Sequence, residues 1–253
     1  GGRVLIARQA TKILVEGGRV RGVEVRRVRY VRGEAVGLAG PPQVFKAPVV
    51  IYGGNVKNLP ALTGEGPLGP AFMEEVRRLK PSPTAFAVFL AVNADLSNYT
   101  PLIKDLDHGV GVVINSNLDP ALAPDGMSSV TAIKLLPPEA YHRFGVRGTE
   151  EYRALKARYA GELVRAAARL VPELEGRALF MEAATPKTYE RYTMNWMGAI
   201  YAFDQSIGAP RRPYFKTPVQ GLYLAGASTF PGGGIEAVVI SGTIAARDIL
   251  GWG

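Results

Sequence analysis

The sequence contains no cysteine, so disulfides, thiolate metal sites, iron–sulfur ligation and a cysteine nucleophile are all excluded. Histidine is almost absent: His108 and His142 stand 34 residues apart (142 − 108), too few and too distant in sequence for an ordinary histidine zinc site, and no metal is expected. No apolar run approaches the roughly 18–20 residues that cross a bilayer; the longest, near residues 85–92, is about eight. Gly1-Gly2-Arg3 offers neither the basic n-region nor the apolar h-region of a signal peptide, and a cytoplasmic protein is expected. The chain opens without methionine on what reads as a strand, so we take it as a fragment, or as a chain whose beginning lies upstream. With thiols and metals excluded, any redox chemistry would have to come from an organic cofactor.

What is present is ordinary globular composition: 253 residues, 47% apolar and 21% charged, enough for one large domain or two modest ones. The net charge of +8 is mostly an arginine effect, 21 Arg against 9 Lys. Six arginines fall in one stretch: Arg19, Arg21, Arg26, Arg27, Arg29 and Arg32. Such a stretch can hold phosphates without sequence preference. However, Val23 and Val25 alternate with charges, the phase slips at Arg26-Arg27, and Val28 and Tyr30 resume the alternation. That describes an exposed β-ribbon with a bulge and arginines on its wet face. No nucleic-acid partner is expected; peripheral contact with an anionic membrane surface, which needs only a diffuse basic face, ranks above it.

Residues 4–7, 12–15 and 19–31 read as strands, the last two joined by the hairpin turn Glu16-Gly17-Gly18. Pro41-Pro42 marks a loop. Residues 44–52 read as a strand with the apolar end Val49, Val50, Ile51 and Tyr52, stopping at Gly53-Gly54-Asn55 as buried parallel strands do. Residues 59–70 read as a connection and 71–80 as a short helix stopped by Pro81. Residues 84–92, 110–115, 128–135 and 177–183 read as further strands. Thr149 is an N-cap with Glu150 and Glu151 in the first turn. The helix it opens carries Tyr152, Leu155, Tyr159, Leu163, Val164, Ala167 and Leu170 at helical spacing. The layout is an α/β domain in two pieces, residues 1–58 and 216–253, split by an inserted α+β domain, residues 59–215.

The segment richest in chemistry is Gly221-Leu-Tyr-Leu-Ala-Gly-Ala-Ser-Thr-Phe-Pro-Gly-Gly-Gly-Ile-Glu, a short strand, a glycine-rich loop and a helix from about Ile235. Gly232, Gly233 and Gly234 leave the helix entrance free of side chains, so a flat or anionic ligand could meet the first-turn N–H groups and the positive end of the helix dipole. A flavin needs such a place, because negative charge gathers on its N1–C2=O edge on reduction. The loop has no Gly-Lys-Ser/Thr and does not match the dinucleotide fingerprint. Taken alone it suits tight packing as well as ligand binding.

This segment resembles the C-terminal flavin-binding signature of the phytoene desaturase, carotenoid isomerase and retinol saturase family. Ala184-Thr-Pro-Lys-Thr, residues 1–25 and residues 49–55 resemble other segments of that family, so the resemblance covers both flanks; the middle matches only in layout. The resemblance implies a glutathione-reductase-like FAD domain whose N-terminal dinucleotide-binding unit this chain lacks, with the insertion binding an apolar polyene such as a carotenoid or retinoid. It places Gly226 and Ala227 by the ribityl–pyrophosphate part of FAD. Gly233, Gly234 and Ile235 fall at the isoalloxazine edge and Ala10 at the adenine, with Ser228 and Gly232 also among the cofactor-binding residues. Many relatives carry an acid where Ala227 stands. Glu236 stands where many desaturases have proline; a carboxylate there could matter chemically, though a helix-start Glu is favourable in itself. Trp196, Met197, Ile200, Tyr201 and Phe203, with Tyr189 and Tyr192 upstream, read first as core and second as an apolar ligand pocket. No residue stands out as an acid or base, which suits chemistry left to a cofactor. The alternatives are a flavin amine oxidase, against which Ala227 and the Thr-Phe-Pro-Gly-Gly-Gly run argue, and a non-catalytic interaction module with a basic surface.

Overall fold

A computed structural model describes residues 2–31 and 34–252, so Gly1 and Arg32 of the segments above lie outside the described residues. The chain divides into two compact units, Gly1–Lys80 with Tyr201–Gly253, and Pro81–Ile200. The insertion is therefore narrower than residues 59–215. The reason is hydrophobic: α1 (Leu59–Thr63) and α2 (Gly69–Arg78) bury Leu59, Phe72, Met73 and Val76 in one core with Ile13, Val20, Phe203, Leu222 and Leu224. The supposed connection 59–70 is thus part of the first unit's interior. Gly64-Glu65-Gly66-Pro67-Leu68-Gly69 spells a dinucleotide-type glycine string, but it joins α1 to α2, and no strand leads into it.

In the first unit, β1 (Arg8–Glu16), β2 (Arg19–Val31) and β3 (Glu34–Lys46) form an antiparallel meander. Residues 4–7 are not a strand; Val4, Leu5 and Ile6 are exposed and pair with no described strand. Pro41 and Pro42 lie inside β3 rather than in a loop. An edge strand tolerates proline, and the prolines sit in a bulge, since Val25↔Gln43 is followed by Arg27↔Ala39. The Arg26 guanidinium closes that bulge, donating to Gly40 O at 3.0 and 3.3 Å. A second extra residue, Thr11, sits on β1 between Ala10↔Val25 and Lys12↔Glu24. The irregularity read from Arg26-Arg27 falls where Val25↔Gln43 gives way to Arg27↔Ala39, and β2 carries an extra residue of its own, Arg21, between Leu14↔Gly22 and Val15↔Val20.

Residues 44–52 break after Lys46, and β4 (Val50–Tyr52) pairs in parallel with β10 (Leu222–Leu224). The parallel pairing is as expected; full burial is not, since Ile51 is 50% exposed. α6 (Ile235–Leu250) follows β10 and buries Ser241 and Ala245.

The second unit is a five-stranded antiparallel sheet ordered β6-β7-β8-β5-β9. Its strands are β5 (Thr84–Val92), β6 (Leu102–Asp105), β7 (Val110–Ile114), β8 (Ser128–Leu136) and β9 (Ala178–Ala184). Three helices accompany it: α3 (Ala140–Arg143), α4 (Glu150–Ala168) and α5 (Pro186–Thr193). The Thr149 hydroxyl accepts from Tyr152 N at 3.2 Å, so it caps α4 as its sequence implies. Alternate residues of β5, namely Phe86, Val88, Leu90 and Val92, meet Tyr152, Leu163 and Ala167 of α4 in one core.

Candidate functional site

The parallel pair β4–β10 delivers two glycine turns side by side at its carboxyl ends, the place where open α/β sheets bind ligands. Gly226 has φ +89°, and a Cβ there would stand 3.3 Å from Gly53 O, so close approach and a left-handed backbone both call for glycine. Its N–H donates to Ser241 Oγ at 2.8 Å, and that hydroxyl donates onward to Val238 O at 2.7 Å. A fully buried serine of α6 therefore pins the start of the loop.

The next residues hold the loop from inside. Ser228, 4% exposed, accepts from Val56 N at 3.2 Å. The Thr229 hydroxyl donates to Pro213 O at 2.7 Å. Ala227 packs against the first unit's core, and its carbonyl accepts from Arg212 Nε at 3.0 Å.

At the helix entrance the three glycines differ. A Cβ on Gly232 would meet Gln205 Oε1 at 2.5 Å, and one on Gly233 would meet Tyr201 Cβ at 2.7 Å. The Gly233 N–H already donates to Gln205 Oε1 at 2.9 Å. Gly234, φ +124°, is the N-cap of α6, and no side chain caps the helix. A Cβ on Gly234 would meet nothing closer than Glu236 Oε2 at 4.0 Å. Ile235 is 81% exposed. The structure thus gathers Gly226, Ala227, Ser228, Gly232, Gly233, Gly234 and Ile235 on one loop and helix entrance. Ala10, exposed and paired with Val25, sits on the separate meander.

Two residues of this neighbourhood carry no sequence signal. Gln205 is one. The other is Arg212, whose guanidinium donates to Ala227 O, Asp204 O (3.4 Å), Tyr201 O (3.1 Å) and Phe203 O (2.6 Å). Burial lowers its pKa from the ordinary arginine value, opposed by the nearby Asp204 carboxylate, yet a guanidinium keeps its charge in proteins. Nothing in the string Pro210-Arg211-Arg212-Pro213 separates Arg212 from the exposed arginines elsewhere. The aromatic cluster expected before the signature is divided: Phe203 is 1% exposed in the first unit's core, Met197 is buried in the second unit, and Trp196 and Tyr192 are exposed.

The second unit presents a different surface. The register places Phe89, Ala91, Thr131, Ile133, Leu135, Phe180 and Leu102 on the sheet face opposite α4. Phe89 is 43%, Leu135 53%, Phe180 59% and Leu102 50% exposed, on a face that also carries Glu182 opposite Phe89 and Lys104 opposite Gly111. Among the described residues no group of three or more His, Cys, Asp or Glu is placed to hold a metal. His108 Nδ1 lies 2.7 Å from Asp105 Oδ2 on an exposed turn.

The sequence profile of the flavin containing amine oxidoreductases matches residues 6–250. The chloroplastic prolycopene isomerase of Arabidopsis thaliana is 31% identical over 162 residues, 58% of this chain and 25% of that protein. The hydroxyneurosporene desaturase of Rhodobacter capsulatus is 41% identical over 81 residues, 31% of this chain and 16% of that protein. The matched region spans a quarter or less of these relatives' length. Two solved structures share the fold: an oxidoreductase from Methanosarcina mazei and a putrescine oxidase variant. The first has TM-score 0.59 at 19% identity, covering 95% of this chain and 49% of that one. The second has TM-score 0.61 at 15% identity, covering 97% and 49%.

Proposed function

This chain belongs to the flavin-containing amine oxidoreductase family, and from that premise we propose that it is part of an FAD-dependent oxidoreductase acting on an apolar polyene such as a carotenoid or retinoid. The observation that carries the cofactor reading is the entrance of α6: an uncapped helix N-terminus behind Gly234, open where a side chain would stand. Gly234, Ile235 and Glu236 can offer backbone N–H groups to an electron-rich ring edge, aided by the helix dipole. Gly53, whose Cβ position meets nothing within 4 Å, leaves room for a ribityl–pyrophosphate arm at the end of β4, where the Gly226 turn of β10 packs against it. Bound FAD would supply the redox chemistry, exchanging a hydride with substrate carbon at N5 to desaturate, saturate or isomerise. The chain's own residues would bind and orient the ring and exclude water.

The remaining dinucleotide-binding unit would come from a segment outside this sequence. In support, α6 carries Ile235, Val239 and Ile240 exposed at 81, 63 and 48%, an apolar outer face that suits further burial. The polyene reading draws on the open sheet face of the second unit, which offers Phe89, Phe180, Leu102 and Leu135 to a flat apolar ligand. The carotenoid-acting names of the relatives support the same reading. No helix of the described residues is long and apolar enough to cross a membrane. Peripheral contact is assigned to the β2–β3 ribbon, where Tyr30 and Val31 are exposed beside Arg27 and Arg29.

The test is the visible spectrum of the protein purified from its complete reading frame. A flavin spectrum, lost on unfolding and perturbed by added carotenoid, is expected; a colourless protein that takes up no FAD would overturn the reading. Membrane contact is checked by sedimentation with phosphatidylglycerol vesicles, expected to fall for Arg27→Glu with Arg29→Glu and to be absent with phosphatidylcholine alone.

A further inference from the structure

Three non-glycine residues within nine positions adopt left-handed backbone: Met194 (φ 55°), Met197 (φ 57°) and Ala202 (φ 60°). Strain of this kind persists only where surrounding structure over-determines it. At Ala202 the cause is visible. Phe203 N donates to Tyr201 O at 2.7 Å across a three-residue turn, and with positive φ at its centre this is the rare, strained form of the γ-turn. Ala202 and Phe203 are each 1% exposed, so the turn is locked in the interior of the first unit.

The turn abuts the glycine loop. The closest atoms to a Cβ on Gly233 are Tyr201 Cβ, Cα and O, at 2.7, 2.9 and 2.9 Å. One side chain ties the two together: Arg212 donates to Tyr201 O and Phe203 O of the turn, to Asp204 O just beyond it, and to Ala227 O of the loop. Its Nη1 also lies 3.3 Å from where a Gly232 Cβ would stand. The rigid guanidinium fork satisfies four carbonyls in a fixed geometry; a lysine ammonium, with three donors on a flexible stem, cannot.

We propose that Arg212 is the positioning residue of the cofactor loop: it holds the strained Tyr201-Ala202-Phe203 turn against Gly232–Gly233 and so sets the spacing of the α6 entrance, while its fixed charge lies behind the loop. The proposal rests on the flavin reading above. Because Arg212 acts through backbone carbonyls, it needs no contact with the cofactor. A fixed cation behind the loop that would hold the ring would favour the form of the ring that carries more negative charge. Its loss therefore makes a bound flavin harder to reduce as well as more weakly held.

The experiment compares the parent protein, from its complete reading frame, with Arg212→Lys, Arg212→Met and the double variant Arg212→Lys with Ala202→Gly. FAD affinity is measured by titration, and midpoint potential by equilibration with reference dyes. Arg212→Lys is expected to bind FAD about tenfold more weakly. Glycine at 202 removes the left-handed penalty that Arg212 opposes, so the double variant is expected to recover most of that loss. Arg212→Met is expected to shift the potential to more negative values; if it does not fold, the two lysine variants carry the test. Parent-like affinity and potential in Arg212→Lys and Arg212→Met would overturn the proposal, as would a double variant no better than Arg212→Lys. A parent protein that binds no FAD would instead overturn the underlying flavin reading.

Discussion

Gly233→Ala tests whether the glycine loop is built by close packing against Tyr201. The added Cβ would lie 2.7 Å from Tyr201 Cβ and 2.9 Å from its Cα and O. Ordinary contact begins at 3.4 Å, so the shortfall is 0.7 Å (3.4 − 2.7). Two of the three obstructing atoms are backbone and cannot rotate aside, and the turn they belong to is tied down by Arg212. Overpacking of this type costs about 1–3 kcal/mol. For a chain of this size each kcal/mol lowers Tm by roughly 2–4 °C, so a drop of about 2–12 °C is expected. If the loop moves instead, FAD affinity falls, about tenfold for every 1.4 kcal/mol. Gly53→Ala is the control: nothing lies within 4 Å of its Cβ position, and its stability is expected to stay within about 0.5 kcal/mol of the parent. Thermal and urea melts of both variants, followed by FAD titration of Gly233→Ala, decide the matter. A Gly233→Ala protein that melts within a degree of the parent and binds FAD equally well would refute the packing argument. So would a Gly53→Ala protein that falls as far as Gly233→Ala.

Four further outcomes are expected. Tyr52→Phe removes a hydroxyl that donates to Asn55 O at 2.9 Å and costs about 1 kcal/mol at neutral pH. Burial pushes the Tyr52 pKa up to about 12, so its share of stability is intact below about pH 10 and is lost as pH rises through 12; alkaline melts should therefore fall more steeply in the parent, and parallel slopes would count against this. Ser241→Ala leaves the Gly226 N–H without its acceptor and is expected to cost about 1–3 kcal/mol in urea. Thr149→Ala strips the α4 cap at about 1 kcal/mol, and Thr149→Ser should restore most of it. Phe89→Asp, on the sheet face opposite α4 but more than half buried and paired with Glu182, is expected to cost about 1–3 kcal/mol of stability while weakening carotenoid binding at least tenfold in the folded protein; unchanged binding would remove that face from the substrate site.

Local chemistry made several features legible before any fold was known. α4 declares itself through the Thr149 hydroxyl, two first-turn glutamates and a 3–4 apolar spacing, each of which acts within a few residues of chain. α6 begins at Ile235 because three glycines precede an apolar run and no earlier residue favours a helix. Residues 41–42 show where such reading stops. Proline usually ends a strand, but β3 is an edge strand with a bulge closed by Arg26, and nothing in the local string states its place in the sheet. Likewise 59–70 reads as a connection because glycine and proline dominate it, while Leu59 and Leu68 are fully buried by contacts with distant residues.

Which groups were available followed from composition and spacing: no thiol, two isolated histidines, and a strand–glycine loop–helix segment with free N–H groups. How those groups are used was set by folding. It placed Gly226 against Gly53, gave the Gly233 N–H to Gln205, and put one arginine of 21 among four carbonyls. The physical reason is range. Caps, turns and amphipathic spacing are set by neighbours along the chain, whereas burial of a charge and close approach of backbones depend on residues that folding alone brings together.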